Sequence, residues 1–395
     1  MNHGSSIKDA DAPVNLASLP QELRAPAQEI EALIAQGQFE AGVASMQKLA
    51  RSSGDPVLML RLIALRAQGL KRAMQPLELQ PMYDASAHLD DIDALQARLS
   101  RDGYLFLRDV IPAQALRQLR KQITTILADE GWIEGGDKQD EALAVSRPRR
   151  EGQRRYFQAH DRIIRLEALH SLAHNNALMA LMRNVLGPSV FPHPLSIVRL
   201  VFPQSPELAT PPHQDYPNNQ GTADLTAAWI PLADCSIQQG SLAVLEGSHK
   251  FGVLPLKFHL GAGNRRAVLG EQLAGLRWVG ADFKLGDVLL FPSLTVHKAM
   301  ENLSKRNMRL SVDFRFQREG EALTSGCLQP HFERISWEDI YRGWESTRYQ
   351  YYWQNKNYVE VPWNAALHEL PPDHYDEAYE QEMAFNLLFN ARSEA

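Results

Sequence analysis

The chain has 395 residues, 44% of them hydrophobic and 22% charged, with a formal net charge of −6. That supplies apolar material for a sizeable core in two or three structural units, and it excludes the broad basic field that nucleic-acid binding needs. Two cysteines, Cys235 and Cys327, are too few for a disulfide framework or a thiolate zinc site, no run approaches a membrane span, and no signal pattern opens the chain, so the composition predicts a cytoplasmic protein with no membrane partner.

Residues 1–18 read as a flexible tail and 19–84 as a helical N-terminal extension. Apolar residues recur at helical spacing in three groups: Ile30, Leu33 and Ile34, then Phe39, Val43, Met46 and Leu49, then Leu58, Leu60, Leu62 and Ile63. The spacing predicts three short helices over 19–74, broken at Gly37 and at 52–56, where Asp55-Pro56 suits a helix start. No second copy of this unit follows, so it is expected to act as a cap or a protein-docking surface rather than a repeat array.

The main domain is expected over 85–318. It opens with a strand at 104–111 and helices at 112–127 and 166–185. Between those helices Arg147, Arg149, Arg150, Arg154 and Arg155 crowd into nine residues of an otherwise acidic chain, which reads either as a solvated loop or as a lid that attracts an anionic or carrier-linked small molecule. After Gly187 the pattern turns to β, with strands at 197–202, 225–232, 242–245, 287–291 and 308–316 between Gly-, Pro- and Asn-rich turns. Many such strands predict an α+β protein built on a barrel or jelly roll flanked by helices. The remainder, 319–395, is aromatic and acidic, with Trp337, Trp344, Trp353 and Trp363, and is expected to pack on the barrel.

Two features carry chemistry. His213 and Asp215 stand at i and i+2, so on a strand both side chains face the same way. With the distant His297 they make two imidazoles and one carboxylate, the facial set by which non-haem Fe(II) oxygenases hold one face of an octahedral ion and leave the rest open. The second feature is the last strand, where Arg309, Ser311, Asp313 and Arg315 alternate with Leu310, Val312, Phe314 and Phe316. Period two puts the four polar groups on one face. A buried guanidinium there needs a partner: either an internal acid, Asp313 or Asp287, or a ligand carboxylate held by the Arg309 fork with the Ser311 hydroxyl beside it.

The runs TPPHQDYPNNQGT, AAWIPLADCSIQQGSLAVLEGSHK and FKLGDVLLFPSLTVHKAMENLSKRNMRLSVDFRF resemble the phytanoyl-CoA dioxygenase family of Fe(II)- and 2-oxoglutarate-dependent oxygenases. The resemblance covers 191–316 in motif detail and reaches weakly back to 85. It implies a double-stranded β-helix of the jelly-roll, cupin-like kind, with His213, Asp215 and His297 as iron ligands, Arg309 and Ser311 on the distal carboxylate of 2-oxoglutarate, and Trp229 beside that cosubstrate. It also implies that dioxygen is consumed, that succinate and carbon dioxide are released, and that an aspartate at position 215 favours oxygenation over halogenation. Gln214, Tyr216 and Asn218, next to the ligands, and Arg154 and Arg155 are the expected substrate contacts. His249 reads as structural, and His160, His170, His174 and His193 as ordinary. The leading expectation is a hydroxylase of a small molecule or natural product. The same scaffold also suits desaturation, epoxidation or ring formation, and a non-catalytic barrel with a helical docking module is the third reading.

Overall fold

A computed structural model describes residues 18–73, 77–205, 208–260, 265–370 and 372–393. The tail, apart from Ser18, and Met74 lie outside them. The chain divides into two compact units. The smaller holds residues 1–76, 258–260 and 370–395, the larger 77–257 and 261–369.

In the smaller unit the apolar periodicity yields helices Gln21–Ala35, Phe39–Ser53 and Pro56–Ala73. Gly54 ends the second helix in the left-handed conformation at φ 65°, and Asp55 Oδ1 accepts from the amides of Val57 and Leu58 to start the third. Met46, Ala50, Leu58, Leu62 and Leu65 are fully buried among them. The chain's last helix, His374–Ser393, belongs here. Its Ala384 and Leu387 pack on Ile63 and Ala67, and its buried Glu380 pairs with Arg51 and Arg66 at 2.7 and 2.8 Å. The aromatic tail expected as one extension over 319–395 is thus divided: 370–395 joins the smaller unit. The acidic face of that helix finds its cations more than 300 residues back in sequence, which local pattern does not report.

The larger unit is built on two sheets. One has five strands in the order Leu105–Leu107, Val288–Pro292, Thr226–Pro231, Arg309–Arg318, Val190–Val201. The other has four, Gln80–Pro81, Trp278–Gly280, Leu242–Leu245, His297–Ala299. A shared apolar cluster, with Trp229, Leu289 and Phe291 from the first sheet and Leu242, Val244, Val279 and Ala299 from the second, lies between them. The opposite face of the five-stranded sheet, including Leu310, Val312, Phe314 and Phe316, packs on helices Ala113–Asp129, Arg154–Ile163 and Asn176–Leu186. Trp353 and, half-buried, Trp337 and Trp344 join that layer, whereas Trp363 is exposed and packs on His368.

Several boundaries move for physical reasons. The strand expected at 197–202 begins at Val190: it carries Pro192 and Pro194, which a central strand excludes but this edge strand tolerates. The helix expected at 166–185 is two, split where the Asn175 side chain caps the amides of Ala177 and Leu178. Arg154 and Arg155, read with the other arginines of 147–155 as a loop or lid, instead open the helix Arg154–Ile163. Among the described residues no helix is long and apolar enough to cross a membrane.

Candidate metal and cosubstrate site

His213 makes a single antiparallel bridge to His297, each amide donating to the other's carbonyl at 2.9 and 3.0 Å. The chain then bends, so Asp215 is not on a strand as the i, i+2 spacing suggested. Its carbonyl accepts from the amides of Asn218 and Asn219 in a tight turn. The outcome for the side chains is the same: ligand atoms of His213, Asp215 and His297 lie within 4.8 Å of one another. Asp215 Oδ1 is 3.9 Å from Nε2 of each histidine.

The hydrogen bonds around this trio fix which atoms face the common point. His213 Nδ1 lies 2.8 Å from the Pro211 carbonyl and His297 Nδ1 3.0 Å from that of Thr295. A carbonyl only accepts, so each ring carries its hydrogen on Nδ1 and presents the lone pair of Nε2 inward. Burial depresses both histidines, His213 to about 3, which keeps them neutral. For Asp215 burial works the other way, but the Arg315 guanidinium and the two imidazoles outweigh it and bring the carboxyl down to about 2. Arg315 Nη2 donates to Asp215 Oδ2 at 2.7 Å and leaves Oδ1 for the trio. Two neutral imidazole nitrogens and a carboxylate oxygen on one point suit a divalent first-row metal with open positions, and the fit is to iron.

The polar row of the last strand lines the same cavity. Arg309, Ser311, Asp313 and Arg315 are all buried, and Arg309, Asp313 and Arg315 share the cavity wall with His213, His297 and Trp229. Neither internal acid weighed for Arg309 takes it. Asp287 pairs with Arg108 at 2.6 Å, and the ion-pair partner of Asp313 is Arg199 at 4.0 Å. Arg309 instead donates to Gly240 O at 3.1 Å and to Ser311 Oγ at 2.6 Å, while Trp229 Nε1 donates to the same hydroxyl at 3.1 Å. Burial pushes the Arg309 pKa down. A buried guanidinium with no carboxylate on it among the described residues, facing a cavity it shares with two imidazoles, suits a carboxylate-bearing ligand.

The profile of the phytanoyl-CoA dioxygenase (PhyH) family matches residues 99–311, more than half of the chain. The chain belongs to that family. Members are Fe(II)- and 2-oxoglutarate-dependent, and this protein is an enzyme of that class, a dioxygenase. It is similar to 1-deoxypentalenic acid 11-beta-hydroxylase of Streptomyces arenae, 29% identical over 256 residues that cover 59% of this chain and 84% of that one. The Streptomyces exfoliatus enzyme of the same name is 28% identical over 263 residues, covering 60% and 86%. Among solved structures, the epimerase SnoN in complex with Fe3+, alpha ketoglutarate and nogalamycin RO aligns with a TM-score of 0.44 at 21% identity, over 59% of this chain and 86% of that one.

The expected substrate contacts of this PhyH-family chain fare unevenly. The Gln214 amide is buried and engaged by Gly252 O, Leu294 O and the Leu254 amide, at 2.7 to 2.8 Å. It ties loops together and has no donor left for substrate. Tyr216 is half-buried beside the ligand turn, while Asn218, Arg154 and Arg155 are exposed, and none of the four lines the metal cavity. His249 is structural: its Nε2 lies 3.0 Å from Ser100 O. Residue-level reading missed two cavity groups. One is Arg315 in its hold on Asp215, although its place on the polar row was legible. The other is Arg199, which lines the cavity from the edge strand and is paired with Glu151.

Proposed function

We propose that this enzyme hydroxylates an anionic small molecule, with iron held by His213, Asp215 and His297 and the far carboxylate of 2-oxoglutarate held by Arg309 and Ser311. The observation that carries this is the convergence of two Nε2 lone pairs and Asp215 Oδ1 in a cavity that also contains a guanidinium without a carboxylate. Iron and 2-oxoglutarate, when bound, supply the oxidising chemistry: dioxygen is consumed, 2-oxoglutarate is split to succinate and carbon dioxide, and one oxygen atom goes to a substrate C–H bond.

The chain's own residues orient and exclude. Arg315 holds Asp215 so that one oxygen is free, and the Pro211 and Thr295 carbonyls hold the two rings in the ligating tautomer. Trp229 fixes the Ser311 hydroxyl beside Arg309, and the apolar wall from Trp229, Leu242 and Ala299 keeps water from the reacting centre. Asp215 at the third ligand position leaves no room there for a halide, which favours oxygenation. The two-sheet arrangement, with His297 of one sheet and Arg309 and Arg315 of the other lining one cavity, fits a double-stranded β-helix. The anionic substrate class rests on the arginines of 147–155 and of the cavity, and on the relatives' named substrate being an acid. Two free, buried cysteines fit a cytoplasmic setting.

The test is Fe(II)-dependent formation of succinate from 2-oxoglutarate by the full chain. We expect turnover in the wild type and its loss in Asp215→Ala and His297→Ala with the fold retained. Product mass, a gain of one oxygen against a loss of two hydrogens, separates hydroxylation from desaturation. Wild-type protein that makes no succinate would favour the non-catalytic reading.

A further inference from the structure

The arginine-rich segment reaches the cavity through its one acid. Glu151, in the turn between Arg150 and the helix Arg154–Ile163, forms an ion pair with Arg199 Nη1. Arg199 stands on the edge strand directly across from Ser311, on the cavity side. Its only other ion-pair contact among the described residues is Asp313, at 4.0 Å. Glu151 therefore lies on a turn outside the cavity, yet its carboxylate sits on a guanidinium that shares the cavity lining with His213 and His297.

We propose that Arg199 anchors a carboxylate of the substrate, and that Glu151 occupies this position in the substrate-free enzyme and yields it when substrate enters. The inference rests on the reading of the site as an Fe(II)- and 2-oxoglutarate-dependent dioxygenase with an anionic substrate. Formal charge selects the class of ligand. Arg199, Arg309 and Arg315 carry three positive charges, against Asp215, Asp313 and Glu151. A divalent metal and the dianion 2-oxoglutarate cancel each other. Withdrawing Glu151 then leaves one positive charge, which a monocarboxylate balances and a phosphate dianion overshoots. Glu151 is itself a carboxylate on a short stem, so the contact it makes with Arg199 is the one the substrate would make.

The placement also gives the basic cluster a role. Arg154 and Arg155 are exposed on the first turn of their helix, where they attract an anion toward the turn that Glu151 holds shut. Specificity then comes from exchange: an uncharged analogue in place of Glu151 would leave the half-buried Arg199 with only the longer contact to Asp313, at 4.0 Å.

The experiment uses the full chain loaded with Mn(II) and 2-oxoglutarate, with decanoate and its uncharged counterpart decanamide as probes, titrated calorimetrically. Glu151→Gln removes the competing carboxylate and is expected to bind decanoate about tenfold or more tightly than wild type, with decanamide unchanged. Arg199→Gln is expected to lose the preference for decanoate over decanamide. Trypsin supplies a readout independent of the probe: cleavage at Arg147–Arg155 is expected to quicken about tenfold in Glu151→Gln, because the turn has lost its tether. Unchanged cleavage, or decanoate affinity in Glu151→Gln no higher than in wild type, including no binding by either, overturns the proposal. Succinate formation is measured in parallel. If the wild type makes none, the dioxygenase reading fails; if it makes succinate while the variants behave as wild type, only the Glu151 exchange fails.

Discussion

The two faces of strand Arg309–Arg318 divide the molecule's tasks between alternate residues of one segment. Leu310, Val312, Phe314 and Phe316 point to the helical layer and are buried among apolar neighbours. Arg309, Ser311, Asp313 and Arg315 point to the other side, where each is as deeply buried but meets polar groups and the metal trio. Burial is therefore not what separates core from site here. The difference is whether the buried atoms are satisfied by the fold itself: among the described residues Arg315 Nε and Nη1 have no hydrogen-bond partner and Arg309 has no carboxylate. A face whose needs the protein leaves unmet is a face that awaits ligands.

That contrast can be broken from either side. The largest effect is expected on the apolar face, where Phe314→Ala should lower unfolding free energy by about 3–5 kcal/mol, read by denaturant melts. A loss below about 1 kcal/mol would mean that this face does not hold the helical layer. On the polar face Arg315→Met should weaken Mn(II) binding by about 10–100-fold, since Asp215 loses the contact that aims its free oxygen. Metal affinity equal to wild type would remove Arg315 from the site.

The most gradual effect, spread over a range of pH, lies at the far end of the polar row. There Gln317 Oε1 meets His193 Nε2 at 2.6 Å, and burial takes that histidine down to about 4. Its folded pKa is below the unfolded value, so between pH 6.5 and 4 the unfolded chain binds the proton that the folded chain refuses. Stability should then rise with pH across that window, by about 1.4 kcal/mol per unit from this residue, and not change on its account above it. His193→Gln should flatten that part of the pH profile; an unaltered slope would assign it elsewhere.

How much of this was legible in sequence follows the range of the interaction. Period two displayed both faces of the last strand, and the types and spacing of His213, Asp215, His297 and Arg309 pointed to a metal with a carboxylate clamp. Local pattern could not supply partners across the fold. Arg315 meets Asp215 a hundred residues away, and Glu151 meets Arg199 through a turn that carried only a charge signal. Gln214 shows the converse error: nearness in sequence to two ligands suggested a substrate contact, but the bend after His213 turns its amide to three backbone groups. The split of the C-terminal tail was hidden for the same reason, because what claims 374–393 is a pair of arginines in the N-terminal helices.

The most direct test of the account is a calorimetric titration of 2-oxoglutarate into the Mn(II)-loaded protein, wild type against Arg309→Gln. The account predicts metal-dependent binding at one site in the wild type, weakened about a hundredfold in the variant while its Mn(II) affinity holds. Equal 2-oxoglutarate affinity in the two proteins would contradict it.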